Sequence, residues 1–275
     1  MDRLGLIAGS SRFPIIFAEA AKRQGLKLVA VAHTGETPEQ ISALVPDVTW
    51  VRVGELGKLI AAFKRAGVTR AVMAGGIDKA RALADFCPDE RGAAFIARLP
   101  NLKDDVLLRG IAAELEGEGI RIVESTLFLG HLIAPDGVLT ARQPDAQQWK
   151  DVRLGVQVAK AIGRWDIGQS VVVKRGTVLA VEGIEGTSAA IRRGGALGGR
   201  GIVVVKVSKP QQDLRFDVPA VGPETIGVLD EVGGQVLALE AGKTLMIDKE
   251  KLLEGAEGRG IAVVGVRGDQ SVFVG

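Results

Sequence analysis

The sequence predicts an α/β protein in two domains, the first with a mostly parallel sheet and the second with a mixed one. Two observations predict the first domain and one the second. Short β-branched runs alternate with amphipathic stretches up to about residue 126, which is the grammar of strand, crossover helix and parallel strand. A segment rich in Pro, Gly and Asp, "APDGVLTARQPDA", then interrupts the pattern. Beyond it, "SVVVKRGTVLAV" places two β runs around Lys174-Arg175-Gly176, a hairpin signature that an all-parallel sheet would not carry.

Element by element, "LGLIA" (4–8) reads as a buried strand, 14–24 as a helix, and "LKLVAVAH" (26–33) as the second strand. "TWVRV" (49–53), a helix over 55–66 stopped by Gly67, and "RAVMAGG" (70–76) continue the alternation. Helical stretches at 80–98, interrupted near Pro88, and at 103–118 precede a strand at 120–126, "IRIVEST". Residues 1–134 thus read as a Rossmann-like domain and 135–146 as a linker. Residues 147–275 read as a second α/β domain that carries the main catalytic motifs. It has helices at 147–162, near 187–193 and at 223–232, with strands "GIVVVKVS", "QVLALEA", "TLMID" and "IAVVGVR".

Composition narrows the function classes. With 47% hydrophobic and 25% charged residues, the 275-residue chain describes an ordinary globular protein able to bury two cores. A formal net charge of +2, from 35 basic against 33 acidic residues, supplies no field to gather nucleic acid, and no nucleic-acid partner is expected. The single cysteine, Cys87, makes no intrachain disulfide, which fits a reducing compartment, so a cytoplasmic location is expected. The start "MDRLGLIAGSSRFP" has too short an apolar core for a signal sequence, and no apolar run approaches the roughly 20 residues of a membrane span.

Several segments can carry chemistry. In "GLIAGSSRFP" a strand runs through Gly9, Ser10 and Ser11 into a helix start, whose outward N–H groups suit a phosphate. The same turn read as a plain helix cap binds nothing. A nicotinamide dinucleotide site would need a third spaced glycine and an acid closing the second strand; the chain has neither, and that strand ends in Ala32-His33-Thr34. In "AGGIDKA", at the carboxyl end of the fourth strand, Gly75 and Gly76 permit close approach and Lys79 offers a point charge, or Asp78 simply caps a helix. Asp105, in "LKDDVLLRG", is either a metal ligand or a first-turn aspartate favoured by the helix dipole. His33 and His131 lack ligand spacing, so zinc is not expected.

In the second domain, "VEGIEGTSAAIRRGG" gathers Glu182, Glu185, a Gly186-Thr187-Ser188 helix start, Arg192 and Arg193. An anion can sit on the Gly186 to Ser188 amides, or the segment is a capping box among solvated charges. In "SKPQQDLRFDVPAVGPETIG", Pro210 and Pro219 exclude a helix across the whole segment. Extended geometry from Asp213 to Asp217 would turn both carboxylates to one side, and hard oxygens on one side are what Mg²⁺ takes, with phosphates completing its shell. The plain alternative is a loop in which Asp213 pairs with Arg215 for little energy.

Taken together, "GLIAG" with a following proline, "AGGIDKA", "DDVLLR", "GQSVVVKRGTVLAVEGIEGT" and above all "KPQQDLRFDVPAVGPETI" resemble the LpxI-type UDP-2,3-diacylglucosamine pyrophosphatases over nearly the whole chain. The resemblance implies a hydrolase of lipid A precursor synthesis that cleaves the pyrophosphate of a lipid-linked nucleotide sugar with a divalent cation, Mg²⁺ or another. It implies a two-domain enzyme with substrate in the interdomain cleft, a homodimer, attack at the sugar-side phosphorus and peripheral contact with the inner membrane. The family's essential acid maps onto Asp217. Beside that resemblance, the residues themselves suggest that Asp217 binds Mg²⁺ or orients the attacking water, with Asp213 in support as catalytic residue and, like Asp105, as candidate metal ligand. Lys209 and Lys79 would steady the phosphates, and "LFLGHLIA" (127–134) would meet acyl chains. Where the family commonly reads Gly-Thr-Asp this chain has Ser188 in third place, and Ser10-Ser11 lacks the family's extra glycine. Two other classes compete: a nicotinamide-dependent oxidoreductase, and a non-catalytic module that binds a nucleotide sugar or lipid.

Overall fold

The computed structural model describes residues 3–77 and 86–268, and these divide into two compact units. The first comprises Met1–Gly130 and Asp213–Asp217, the second His131–Gln212 and Val218–Gly275. The short segment around Asp217 therefore groups with the first unit although the sequence surrounds it with the second.

In the first unit, β1 (Arg3–Ala8), β2 (Lys27–His33), β3 (Asp47–Val51), β4 (Arg70–Ala74) and β5 (Arg121–Ile122) form a parallel sheet in the order β3-β2-β1-β4-β5. From Leu4 onward every residue of β1 is buried, without alternation, because helices cover both faces of a parallel sheet. The helices are α1 (Phe13–Arg23), α2 (Ile41–Leu44), α3 (Leu56–Arg65), α4 (Glu90–Arg98) and α5 (Asp104–Gly117). In α3, Leu56, Leu59, Ile60 and Phe63 repeat at helical spacing and are buried, and Lys64 and Arg65 in its last turn complement the dipole. The expected strand over 120–126 is only Arg121–Ile122; residues 125–128 turn instead. The expected helix over 80–98 is described from Glu90, where Asp89 caps it by accepting the Gly92 N–H at 2.8 Å.

In the second unit, β6 (Gly137–Val138), β7 (Ser170–Lys174), β8 (Thr177–Val181), β9 (Val203–Lys206), β11 (Val236–Glu240) and β13 (Ala262–Val266) form a mixed sheet in the order β6-β13-β11-β9-β7-β8. Its centre, β13-β11-β9, is parallel, and β6, β7 and β8 run antiparallel to their neighbours. A separate parallel pair joins β10 (Ala220–Val221) to β12 (Leu245–Met246). The helices are α6 (Ala146–Arg164), α7 (Thr187–Gly198), α8 (Pro223–Glu231) and α9 (Lys249–Gly258). Alternate residues of the strands face opposite cores: Val172, Val204 and Leu237 lie in one, Val171, Val173, Val203 and Val205 in the other. Residues 135–146, read as a linker, are built into this unit: β6 forms the sheet edge, and the Leu139 N–H donates to the Val263 carbonyl at 2.8 Å.

The β7–β8 hairpin forms as its sequence predicts. Arg175 and Gly176 both take positive φ, 49° and 77°, the requirement of a two-residue turn whose twist matches the strands. A non-glycine residue at positive φ is costly, and Asp151 on α6 offsets that cost: its carboxylate accepts the N–H groups of both Arg175 and Gly176 at 2.7 Å. Asp151 is itself only 2% exposed. Asp151→Ala is expected to destabilise the protein by about 2–4 kcal/mol, because two amides lose a charged acceptor, and Asp151→Asn by roughly half as much. Urea unfolding checks this; equal midpoints for wild type and Asp151→Ala would remove the clamp.

Candidate active site

The order β3-β2-β1-β4-β5 reverses direction between β1 and β4, and open α/β sheets bind ligands at that switch point, outside the strands' carboxyl ends. Gly9, Ser10, Gly75 and Gly76 meet there. The Gly9 N–H donates to the Ala74 carbonyl at 2.8 Å and the Ser10 N–H to the Gly76 carbonyl at 2.6 Å. A Cβ on Gly9 would collide with the backbone of Gly75 and Gly76, and one on Gly75, at φ +89°, with that of Gly9 and Ser10. The glycines are thus needed for two turns to touch, and the Gly9 and Ser10 amides are spent on that contact. Ser11 has φ 71°, and its hydroxyl accepts the Phe13 N–H at 3.2 Å at the start of α1. Lys79 lies outside the described residues.

Where a dinucleotide site places an acid, at the end of the second strand, this chain places His33. Its Nδ1 lies 3.0 Å from the Ala8 carbonyl, and since a carbonyl only accepts, Nδ1 carries the proton. Burial pushes the imidazole pKa down, against the raising effect of that hydrogen bond and of Glu36. Thr37 donates to the same carbonyl at 2.5 Å. These bonds anchor the last residue of β1 directly before the Gly9 turn.

At the start of α7, Gly186 is the N-cap at φ 80° and makes no side-chain cap bond. The Thr187 hydroxyl donates to Glu182 at 2.7 Å and accepts from the Lys206 ammonium at 3.0 Å. The second Glu182 oxygen accepts the Gln169 N–H at 3.1 Å. Glu182 and Lys206 are each 8% exposed, so this is an interior ion and hydroxyl network at the mouth of a helix. Sequence reasoning missed Lys206; a charge inside the apolar run "GIVVVKVS" was the available signal. Ser188 follows Thr187 in the first turn, half-buried. Arg193, by contrast, is held by Glu185 at 2.5 Å and the Val181 carbonyl at 2.8 Å.

The segment after β9 departs from expectation. Residues 213–217 are not extended: the Asp213 carbonyl accepts the N–H groups of Phe216 at 3.2 Å and Asp217 at 3.0 Å, which folds them into a turn. The two-residue periodicity of a strand therefore does not apply to Asp213 and Asp217. Asp213 is engaged by Arg215, through Nη2 at 2.8 Å and Nε at 3.0 Å, and by Arg109 Nη1 at 3.5 Å. Hydrogen bonding from Arg215 holds its carboxyl below the usual range. Asp105 accepts from Arg109 Nε at 2.8 Å, so one arginine stands between two of the expected metal ligands. Lys209 makes an ion pair with Asp166 in which both side chains are nearly buried. Among the described residues no three His, Cys, Asp or Glu side chains gather as a metal would require of an all-protein site.

Fold and site together define a two-unit α/β protein with a Rossmann-type switch point in one unit and a polar helix mouth in the other. Residues 3–132 match the LpxI N-terminal domain and residues 135–264 the LpxI C-terminal domain. The chain belongs to the LpxI family. It is 34% identical, over 97% of its length and 98% of the relative's, to the UDP-2,3-diacylglucosamine pyrophosphatase LpxI of Caulobacter vibrioides. Among solved structures, the CobK precorrin-6A reductase shares 14% identity over 97% of this chain and 88% of its own, with a TM-score of 0.34. A biotin carboxylase domain of a thermophilic 2-oxoglutarate carboxylase shares 12% over 62% of this chain and 35% of its own, with a TM-score of 0.28. Likenesses that distant carry no argument.

Proposed function

We propose that this protein hydrolyses the diphosphate bond of UDP-2,3-diacylglucosamine, releasing 2,3-diacylglucosamine 1-phosphate and UMP for lipid A synthesis. The observation that carries the reading is the end-to-end match to the Caulobacter enzyme of that name. The Arg215-Phe216-Asp217 turn supports it, because it presents a carboxylate from a fixed backbone. Hydrolysis of a phosphoric anhydride requires a water aligned in line with the leaving oxygen, and a carboxylate that takes the water's proton serves as general base. Asp217 is assigned that task.

Within the second unit, the amides at the start of α7 carry a partial positive charge that suits a phosphate, and the Lys206 ammonium donates to the Thr187 hydroxyl beside them. A divalent cation belongs to this reading. Mg²⁺ is usually held by one or two carboxylates and completed by substrate phosphates, so a single acid fits it, and Asp217 would be that acid. Asp105 and Asp213, engaged by arginines, do not fit as ligands without giving those partners up. When bound, the cation supplies charge neutralisation on the phosphate oxygens. A cytoplasmic enzyme that meets its diacylated substrate at the inner membrane is part of the same reading; no helix among the described residues is long and apolar enough to cross a bilayer.

Incubation with UDP-2,3-diacylglucosamine in ¹⁸O water tests the proposal. UMP release is expected, abolished by EDTA, with the label in the sugar 1-phosphate. Label in UMP would move the attack to the other phosphorus, and tight binding without any turnover would leave a binding module in place of an enzyme.

A further inference from the structure

Asp213 stands four residues before Asp217, and its contacts differ in kind from those of a ligand or a base. Its side chain accepts the Arg215 N–H at 3.1 Å as well as the Arg215 guanidinium, and its main-chain carbonyl accepts the Phe216 and Asp217 amides. One residue thus closes the turn from both its side chain and its backbone. The turn is then secured at three further points. Arg109 reaches Asp213 from α5 while its Nε holds Asp105. The Arg215 carbonyl accepts the Ser125 N–H at 2.9 Å, and Phe216, 6% exposed, is buried in the hydrophobic core of the first unit. Every anchor lies within that one unit.

We propose that Asp213 is a positioning residue: through the 213–217 turn it fixes where Asp217 stands, and Arg109 and Arg215 hold Asp213 to that task. The inference rests on the reading of Asp217 as the acid of hydrolysis. A carboxylate has a limited set of acceptor sites, and those of Asp213 are engaged by two guanidiniums and an amide. Recruiting it to a metal would strip two cations of a partner. Holding a reacting group in place, by contrast, is work these bonds already do, and a misplacement of about 1 Å costs on the order of a hundredfold in rate.

The test uses the full chain with Asp213→Asn, which keeps the shape and removes the charge. Amide exchange of the peptide containing Phe216 and Asp217 is expected to quicken about tenfold, since the Asp213 carbonyl that accepts them remains but is no longer held in place by a charged side chain bonded to Arg215 and Arg109. The turnover number is expected to fall by about 10–100-fold with little change in KM. The Mg²⁺ concentration for half-maximal activity is expected to stay within about twofold of wild type, because Asp213 is not a ligand. Arg109→Met should shift exchange and kcat in the same direction, and the double variant should be no slower than Asp213→Asn alone, as residues acting through one device are not additive. Arg109 is 46% exposed, so this variant carries the same readouts if Asp213→Asn does not fold. Unchanged exchange, unchanged kcat, or a Mg²⁺ requirement raised as far as in Asp217→Asn would each overturn the proposal. Should wild type release no UMP, the reading of Asp217 fails separately, and the exchange measurement still decides whether Asp213 fixes the turn.

Discussion

Asp217→Asn is expected to lower the turnover number by about three orders of magnitude, within the range a lost general base produces, while thermal unfolding stays where it is in wild type. The turn is kept because a bond that holds Asp217 in it runs from its main-chain N–H to the Asp213 carbonyl, and the near-isosteric asparagine retains it. The neighbouring anchor, Phe216, is equally untouched. What the substitution removes is a negative charge and a proton acceptor on a half-buried side chain. KM should change little if the carboxylate acts mainly in the transition state, and should rise if it also holds a cation against the substrate. Initial rates of UMP release across substrate concentration separate these outcomes. Activity within about tenfold of wild type would remove Asp217 from the chemistry, since no general base costs so little.

The first sheet was legible in sequence because its signals are local. Unbroken apolar runs at 4–8 and 71–74, a helix with apolar residues at 56, 59, 60 and 63, and glycine at 67 each report one physical requirement of a covered parallel strand or a terminated helix. The β7–β8 hairpin was legible for the same reason. The site was legible only in part. Gly9 and Gly75 were found as turns at strand ends, but that each excludes a Cβ on the other's account is a fact of two turns touching, which no local pattern records. Lys206 was passed over because a lysine within an apolar strand looks like an interruption, and only folding brings it to the Thr187 hydroxyl. The 213–217 turn went astray for a related reason. Two aspartates near a strand end suggest extended geometry, yet the arginines that engage Asp213 include Arg109, distant in sequence. Long-range partners of this kind decide between ligand and scaffold, and they are set by topology rather than by spacing.

Lys160→Met is expected to destabilise the protein by about 3 kcal/mol at neutral pH, the lower end of the cost of breaking a buried pair. Glu240, at the carboxyl end of β11, is 1% exposed and accepts from Lys160 at 2.6 Å and from the Ser208 hydroxyl and N–H at 2.8 and 2.7 Å. Lys243, at 2.9 Å, would remain as a second cation, which is why the effect falls short of a full orphaned charge. Burial pushes the Glu240 carboxyl up, but the hydrogen bonds from Lys160, Lys243 and Ser208 together outweigh it, so its folded pKa lies below the ordinary value. Burial likewise pushes Lys160 down, with Glu240 opposing. The sign follows. A carboxyl with a lowered folded pKa adds stability that is full above its unfolded pKa and is lost as pH falls through the folded one. In Lys160→Met the largest opposing donor is gone and desolvation is left in place, so the folded pKa of Glu240 rises and acid protonates it early, relieving the penalty. The stability gap between wild type and variant should therefore be widest near neutral pH and narrow on acidification towards the ordinary carboxyl range. Urea unfolding of both proteins at several pH values checks it: a gap independent of pH would show that Lys160 stabilises through its aliphatic packing and that its charge on Glu240 contributes nothing.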